Sequence, residues 1–209
     1  VVVSAELGFV HRFEPGSSPT TLLLLHGTGG NEHSLIELAR HLAPAANLLS
    51  PRGKVLENGA PRFFRRLALG VFDEADLKAQ AADLARFVGE AAKRYGFDAG
   101  RVYALGYSNG ANMAAALMLL HPEALAGGVL LRPVLPLKPS TLPNLSTKAA
   151  FLAAGRRDPW APIERVEALA DWLERAGAAV ELRWQEAGHE LHSEELEAAR
   201  EWLARHLEG

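Results

Sequence analysis

An apolar run, Val102-Tyr103-Ala104-Leu105, leads into Gly106-Tyr107-Ser108-Asn109-Gly110 and then into an alanine-rich stretch at 111–120. This is Gly-x-Ser-x-Gly between a strand and a helix. That setting demands a sharp, strained turn with the serine hydroxyl above the edge of a sheet. Glycines on either side leave room for strand and helix to approach closely. The five letters alone recur by chance. With a strand before and a helix after, they make Ser108 a candidate nucleophile, and a base, an acid and an oxyanion site must then lie elsewhere in the chain.

The rest of the sequence supplies the sheet that such a turn needs. Apolar runs of strand length fall at 8–13, 21–25, 47–50, 102–105, 128–131, 149–153 and 179–184. Several are continuously apolar, as strands covered on both faces are. Helical periodicity predicts helices over 32–42, 74–95, 162–176 and 193–207; Gly96 and Gly177 close two of them and Ser193 opens the last. Strand and helix alternate, which predicts an α/β fold: a mostly parallel central sheet with helices on both faces. Residues 51–72 and 132–148 show no clean period, and both follow strand ends. Ligands of parallel sheets bind at those ends, so these loops are candidates for pocket walls or for ordinary surface connections.

At 209 residues, with no linker-like stretch, the expectation is one domain over 1–209. A net charge of −3 argues neither for nucleic acid nor for an anionic membrane as partner, and no nucleic acid is expected. No apolar run approaches the roughly 20 residues of a membrane span, and Val1-Val2-Val3 is too short for a signal-peptide core. The expectation is a cytoplasmic protein without stable membrane insertion. There are no cysteines, which removes disulfides, cysteine nucleophiles and cysteine metal sites together. Oligomeric state stays open, a homodimer included.

The partners of Ser108 are expected in the order acid, then histidine. Of His121, His189, His192 and His206, only His189 and His192 lie in the loop between the last strand and the last helix. His189, after Gly188, is the preferred base and His192 the alternative. Asp158 lies on a loop just past a strand that ends at Gly155. It either accepts the Nδ1 hydrogen of the histidine or caps the helix that follows Pro162. Asp171, inside a helix, and Asp98, ahead of the serine, are poorer candidates. The buried run 22–25 leads into His26-Gly27-Thr28-Gly29-Gly30. Its glycines let backbone amides face a substrate, so the N–H groups of Thr28 and Asn109 are the expected oxyanion donors. His26 is expected to brace that turn. As a phosphate loop the segment lacks the required lysine and spacing.

Together, His26-Gly27-Thr28-Gly29-Gly30-Asn31-Glu32, Gly106-Tyr107-Ser108-Asn109-Gly110, Arg156-Arg157-Asp158-Pro159 and Gly188-His189 make the chain similar, over about 22–203, to the phospholipase/carboxylesterase family of small α/β-hydrolases. Pro51-Arg52-Gly53 and Arg62-Phe63-Phe64-Arg65-Arg66 most resemble a bacterial carboxylesterase branch associated with hydroquinone resistance. The resemblance implies an α/β-hydrolase fold with no large cap domain. It also implies hydrolysis of small to medium carboxylic esters by Ser108, His189 and Asp158, with Thr28 and Asn109 at the oxyanion and no metal or organic cofactor. Arg52, Phe64 and Trp160 are the expected pocket residues. Asn109 stands where the thioesterase branch usually has glutamine, which weighs against thioesterase activity; thioesterase or lysophospholipase-type activity is the alternative. Trp160 replaces a commoner aliphatic residue and is expected to narrow the pocket. The arginines at 52, 62, 65 and 66 either select anionic substrates or form surface salt bridges to Glu57 and Asp73. A ligand-binding protein without catalysis is the rival class, since fold does not fix function.

Overall fold

The structure, a computed structural model, describes residues 1–207. Strands β1 (Val2–Ser4), β2 (His11–Glu14), β3 (Thr21–Leu25), β4 (Asn47–Pro51), β9 (Val102–Tyr107), β10 (Gly127–Leu131), β11 (Ala149–Gly155) and β12 (Ala179–Gln185) form one sheet in the order β1-β2-β4-β3-β9-β10-β11-β12. From β4 to β12 every pairing is parallel; only β1 with β2 and β2 with β4 are antiparallel. Helices α1 (Ile36–Leu42), α2 (Glu74–Tyr95), α3 (Asn109–Leu120), α4 (Ile163–Arg175) and α5 (Ser193–Leu207) cover it. This is the α/β-hydrolase fold, and no large cap domain stands over the sheet among the described residues.

Residue alternation along the strands builds the two layers. On β3, Leu22 and Leu24 pack with α1 and α5, through Ile36, Ala39, Trp202 and Leu203. Leu23 and Leu25 point to the other face, toward Leu77, Phe87, Met113 and Leu173 of α2, α3 and α4. All four leucines are fully buried. A run without a single polar residue is therefore what a strand sandwiched between two helical layers requires.

The helix boundaries follow local chemistry. Asp73 accepts the N–H of Asp76 at the start of α2, and Gly96, at φ 75°, closes its end. The expected helix over 32–42 starts only at Ile36. Ser34 Oγ accepts the Asn31 N–H and Asn31 Oδ1 accepts the His33 N–H (2.9 Å each), which holds 31–35 as a turn. The expected strand over 8–13 is shortened to His11–Glu14, because Leu7 and Gly8 take positive φ in a 3-10 turn.

The aperiodic 51–72 stretch is two small hairpins. β5 (Val55–Glu57) pairs with β6 (Ala60–Arg62) across Asn58-Gly59, both at positive φ, the two-residue turn that Asn-Gly favours. β7 (Arg66–Ala68) pairs with β8 (Val71–Phe72) across Leu69-Gly70. Residues 132–148 carry no regular secondary structure. No helix among the described residues is long and apolar enough to cross a membrane.

Candidate active site

The elbow forms where β9 runs into α3. Ser108 sits at φ 54°, ψ −116°, a conformation that costs a non-glycine residue free energy and that the surrounding packing must hold. The glycines make that packing close. A Cβ on Gly110 would lie 1.9 Å from the Leu25 carbonyl oxygen, and one on Gly106 would lie 2.7 Å from Ala111 Cα. Both neighbours are backbone and cannot rotate away. Gly110→Ala is expected to destabilise the protein by about 1–3 kcal/mol or more and to cut esterase activity with it. Thermal melts check this; an unchanged Tm would show that the elbow tolerates the added methyl.

Three side chains from separate segments meet at this turn. His189 Nε2 lies 2.8 Å from Ser108 Oγ, and His189 Nδ1 lies 2.6 Å from Asp158 Oδ2. The second Asp158 oxygen accepts the Trp160 N–H at 2.9 Å. Burial pushes the Asp158 carboxyl up, but the hydrogen bonds from His189 and from the Trp160 amide outweigh it and hold the group below its usual range. An ionised carboxylate only accepts, so Nδ1 carries the hydrogen. Nε2 then presents its lone pair, and the serine hydroxyl donates to it. His192, the alternative base, is half exposed and turned toward Glu190 at 3.4 Å.

The loop after β3 faces the same point. The backbone N–H groups of Thr28 and Asn109 donate to no described residue, and both residues line one cleft of about 390 Å³ together with Ser108 and His189. This loop is fastened from behind. His26 donates from Nδ1 to the Gly27 carbonyl (2.7 Å) and accepts the Gly53 N–H at Nε2 (3.0 Å). Burial lowers the pKa of His26, in keeping with a neutral ring that can accept. Gly29 donates to the Pro61 carbonyl (2.9 Å), Arg62 to Thr28 Oγ1 (2.8 Å), and the Phe63 N–H to Asn109 Oδ1 (2.7 Å). The 61–63 strand end thus ties both candidate donor residues in place.

Of the expected pocket residues, Trp160 lines the cleft, its ring set edge-on 4.7 Å from the His189 ring. Arg52 and Phe64 do not, and the expectation for them is corrected. Arg52 donates twice to Glu32, at 2.6 and 2.7 Å, and holds that buried carboxylate down to about 2. Phe64 is fully buried and packs edge-on against Phe72. The arginines on the cleft wall are Arg62 and Arg66, while Arg65 pairs with Asp73 at 2.7 Å.

Sequence reasoning missed the clamp on the histidine loop. Arg132, buried just past β10, donates to the carbonyls of Gly188 (3.0 Å) and Glu190 and makes a two-pronged ion pair with the buried Glu195 at 2.6 and 2.7 Å. Glu195 also accepts the His192 N–H at 2.7 Å, and the Tyr107 hydroxyl donates to the His189 carbonyl at 2.9 Å. The one available signal was a lone arginine directly after a continuously apolar strand.

Comparison with known proteins identifies the family of the chain. The family model for phospholipase/carboxylesterase matches residues 14–207. The Bacillus subtilis (strain 168) protein named "Putative hydrolase MhqD" is 48% identical over 192 residues, 92% of this chain and 96% of its own. The crystal structure of the Bacillus cereus carboxylesterase superposes with a TM-score of 0.94 at 46% identity, covering 96% of each chain. That of a carboxylesterase from Mesorhizobium loti gives 0.91 at 36%, covering 97% of this chain and 98% of its own.

Proposed function

The chain belongs to the phospholipase/carboxylesterase family, several of whose relatives are named carboxylesterases, and from that premise we propose that it is a serine carboxylesterase acting through an acyl-enzyme on Ser108. The observation that carries the reading is the unbroken line from Asp158 Oδ2 through His189 to Ser108 Oγ, with links of 2.6 and 2.8 Å, opening on a cleft with two unused backbone amides.

The steps follow from the proton positions. His189 Nε2 takes the hydroxyl proton as Ser108 Oγ attacks the ester carbonyl. Asp158 fixes the ring tautomer and stabilises the imidazolium. The N–H groups of Thr28 and Asn109 receive the oxyanion; each such donor is typically worth roughly 2.7–4 kcal/mol at the transition state. His189 then hands its proton to the leaving alcohol. Water, activated by the same nitrogen, releases the acid from Ser108 and restores the enzyme. No step draws on a cofactor. A cleft of about 390 Å³, with Leu69, Phe72 and Trp160 on its walls, suits small to medium esters.

Stopped-flow hydrolysis of p-nitrophenyl acetate tests this. The expected trace is a burst of nitrophenol equal to the enzyme present, followed by slower steady turnover. Release without acylation of the protein, or no release at all, would contradict it. Matched oxygen and sulfur esters of one acyl chain then separate carboxylesterase from thioesterase preference.

A further inference from the structure

One wall of the cleft holds three hydrogen-bond donors that no described residue accepts. Arg62, at the end of β6, is 3% exposed. Its Nε donates to the Phe64 carbonyl (3.1 Å), and its Nη1 reaches Thr28 Oγ1 (2.8 Å) and Glu57 (3.0 Å). Its Nη2 has no partner among the described residues. Arg66, at the start of β7, directs Nε and Nη2 at one Glu57 oxygen, both at 2.8 Å, and its Nη1 has no partner among them either. Asn109, 3% exposed, has Oδ1 occupied by the Phe63 N–H while Nδ2 is buried without an acceptor. Buried donors in native structures are nearly always satisfied, so Asn109 Nδ2 calls for an acceptor from outside the chain, and the free guanidinium nitrogens of Arg62 and Arg66, which are not fully buried, add positive charge on the same wall.

The charges specify that acceptor. Two guanidinium groups share the single carboxylate of Glu57, which leaves one positive charge uncompensated beside the cleft. A monoanion balances it; a dianion overshoots. Planar guanidinium forks match the oxygens of a carboxylate. Arg62 also touches Thr28, so the free donors lie next to the site of ester cleavage.

We infer that Arg62, Arg66 and Asn109 form a carboxylate site, and that the preferred substrates are monoanionic esters such as hemiesters of dicarboxylic acids. The free carboxylate lies against Arg62 and Arg66 while the ester carbonyl meets Ser108. This deepens the esterase reading and rests on it.

The test compares mono-p-nitrophenyl succinate with p-nitrophenyl butyrate, which share a leaving group and a similar acyl length. The wild-type protein is expected to favour the anionic ester by about tenfold in kcat/KM, the factor one charge-assisted pair supplies, and the preference shrinks with added salt. In Arg66→Met the anionic-to-neutral ratio falls to near one, mainly through KM. A p-nitrophenyl ester whose acyl chain ends in phosphate shows a smaller preference than the succinate. Monomethyl succinate, titrated calorimetrically into Ser108→Ala protein, binds more weakly once Arg66→Met is added. Equal rates on the two esters, or a ratio indifferent to Arg66→Met, would overturn the carboxylate site and leave the esterase reading standing. If neither ester is hydrolysed, the esterase reading fails and the substrate inference with it.

Discussion

Ser108→Ala is expected to lower kcat/KM on p-nitrophenyl acetate by about 10,000-fold or more, with the fold and Tm retained. His189→Ala is expected to cost about as much, and the double variant scarcely more than either one. The reason is mechanistic: the base has no function without a hydroxyl to deprotonate, and the hydroxyl is a weak nucleophile without the base. Asp158→Asn falls by a comparable factor, because an amide in place of the Oδ2 acceptor favours the wrong ring tautomer. Losses that multiply in the double variant would mean that the two groups act independently. A large loss in His192→Ala with His189→Ala nearly intact would make His192 the base instead.

Arg132→Leu is expected to have the largest effect on stability, about 3–5 kcal/mol, the usual result of stranding one member of a buried ion pair. The two side chains are both fully buried, so the Glu195 carboxylate would be left in low dielectric without its counter-charge. Catalysis suffers as well, because the guanidinium grips the carbonyls on either side of His189. The imidazole then loses the backbone position that holds it 2.8 Å from Ser108 Oγ. The double change Arg132→Leu with Glu195→Leu recovers much of the Tm but not of kcat, since the leucines refill the space and leave the Gly188 and Glu190 carbonyls unheld. Denaturant melts and kcat, measured on the same preparations, check both parts. Wild-type kcat in the double variant would show that the clamp serves stability alone.

The main sheet was readable because its strands are buried on both faces, so continuous apolar runs such as 21–25 and 128–131 mark them without help from periodicity. Helix α2 was readable to its ends, since Asp73 and Gly96 supply both capping signals. The hairpins of 55–72 were not, being short and only partly buried, with apolar residues such as Leu56, Leu67 and Val71 left exposed, although Asn58-Gly59 was a turn signal that could have been used. At the site, Ser108, His189 and Asp158 were identifiable from chain order and from loops at strand ends, and the structure brings the three together. The pocket wall was harder. Which of four arginines faces the cleft depends on hairpin register and on ion pairing with Glu32, Glu57 and Asp73, which are long-range facts. Phe64 was misplaced for a related reason: a hydrophobic residue in a loop suits a pocket or a core equally well until its packing partners are known.

The central claim is that Ser108 is made nucleophilic by His189. Incubation with a fluorophosphonate, followed by intact mass and peptide mapping, tests it most directly. The account predicts one adduct per chain, on Ser108, formed quickly in the wild-type protein and far more slowly in His189→Ala. A protein that stays unlabelled, or that is labelled on another serine with its esterase activity lost in step, would contradict it.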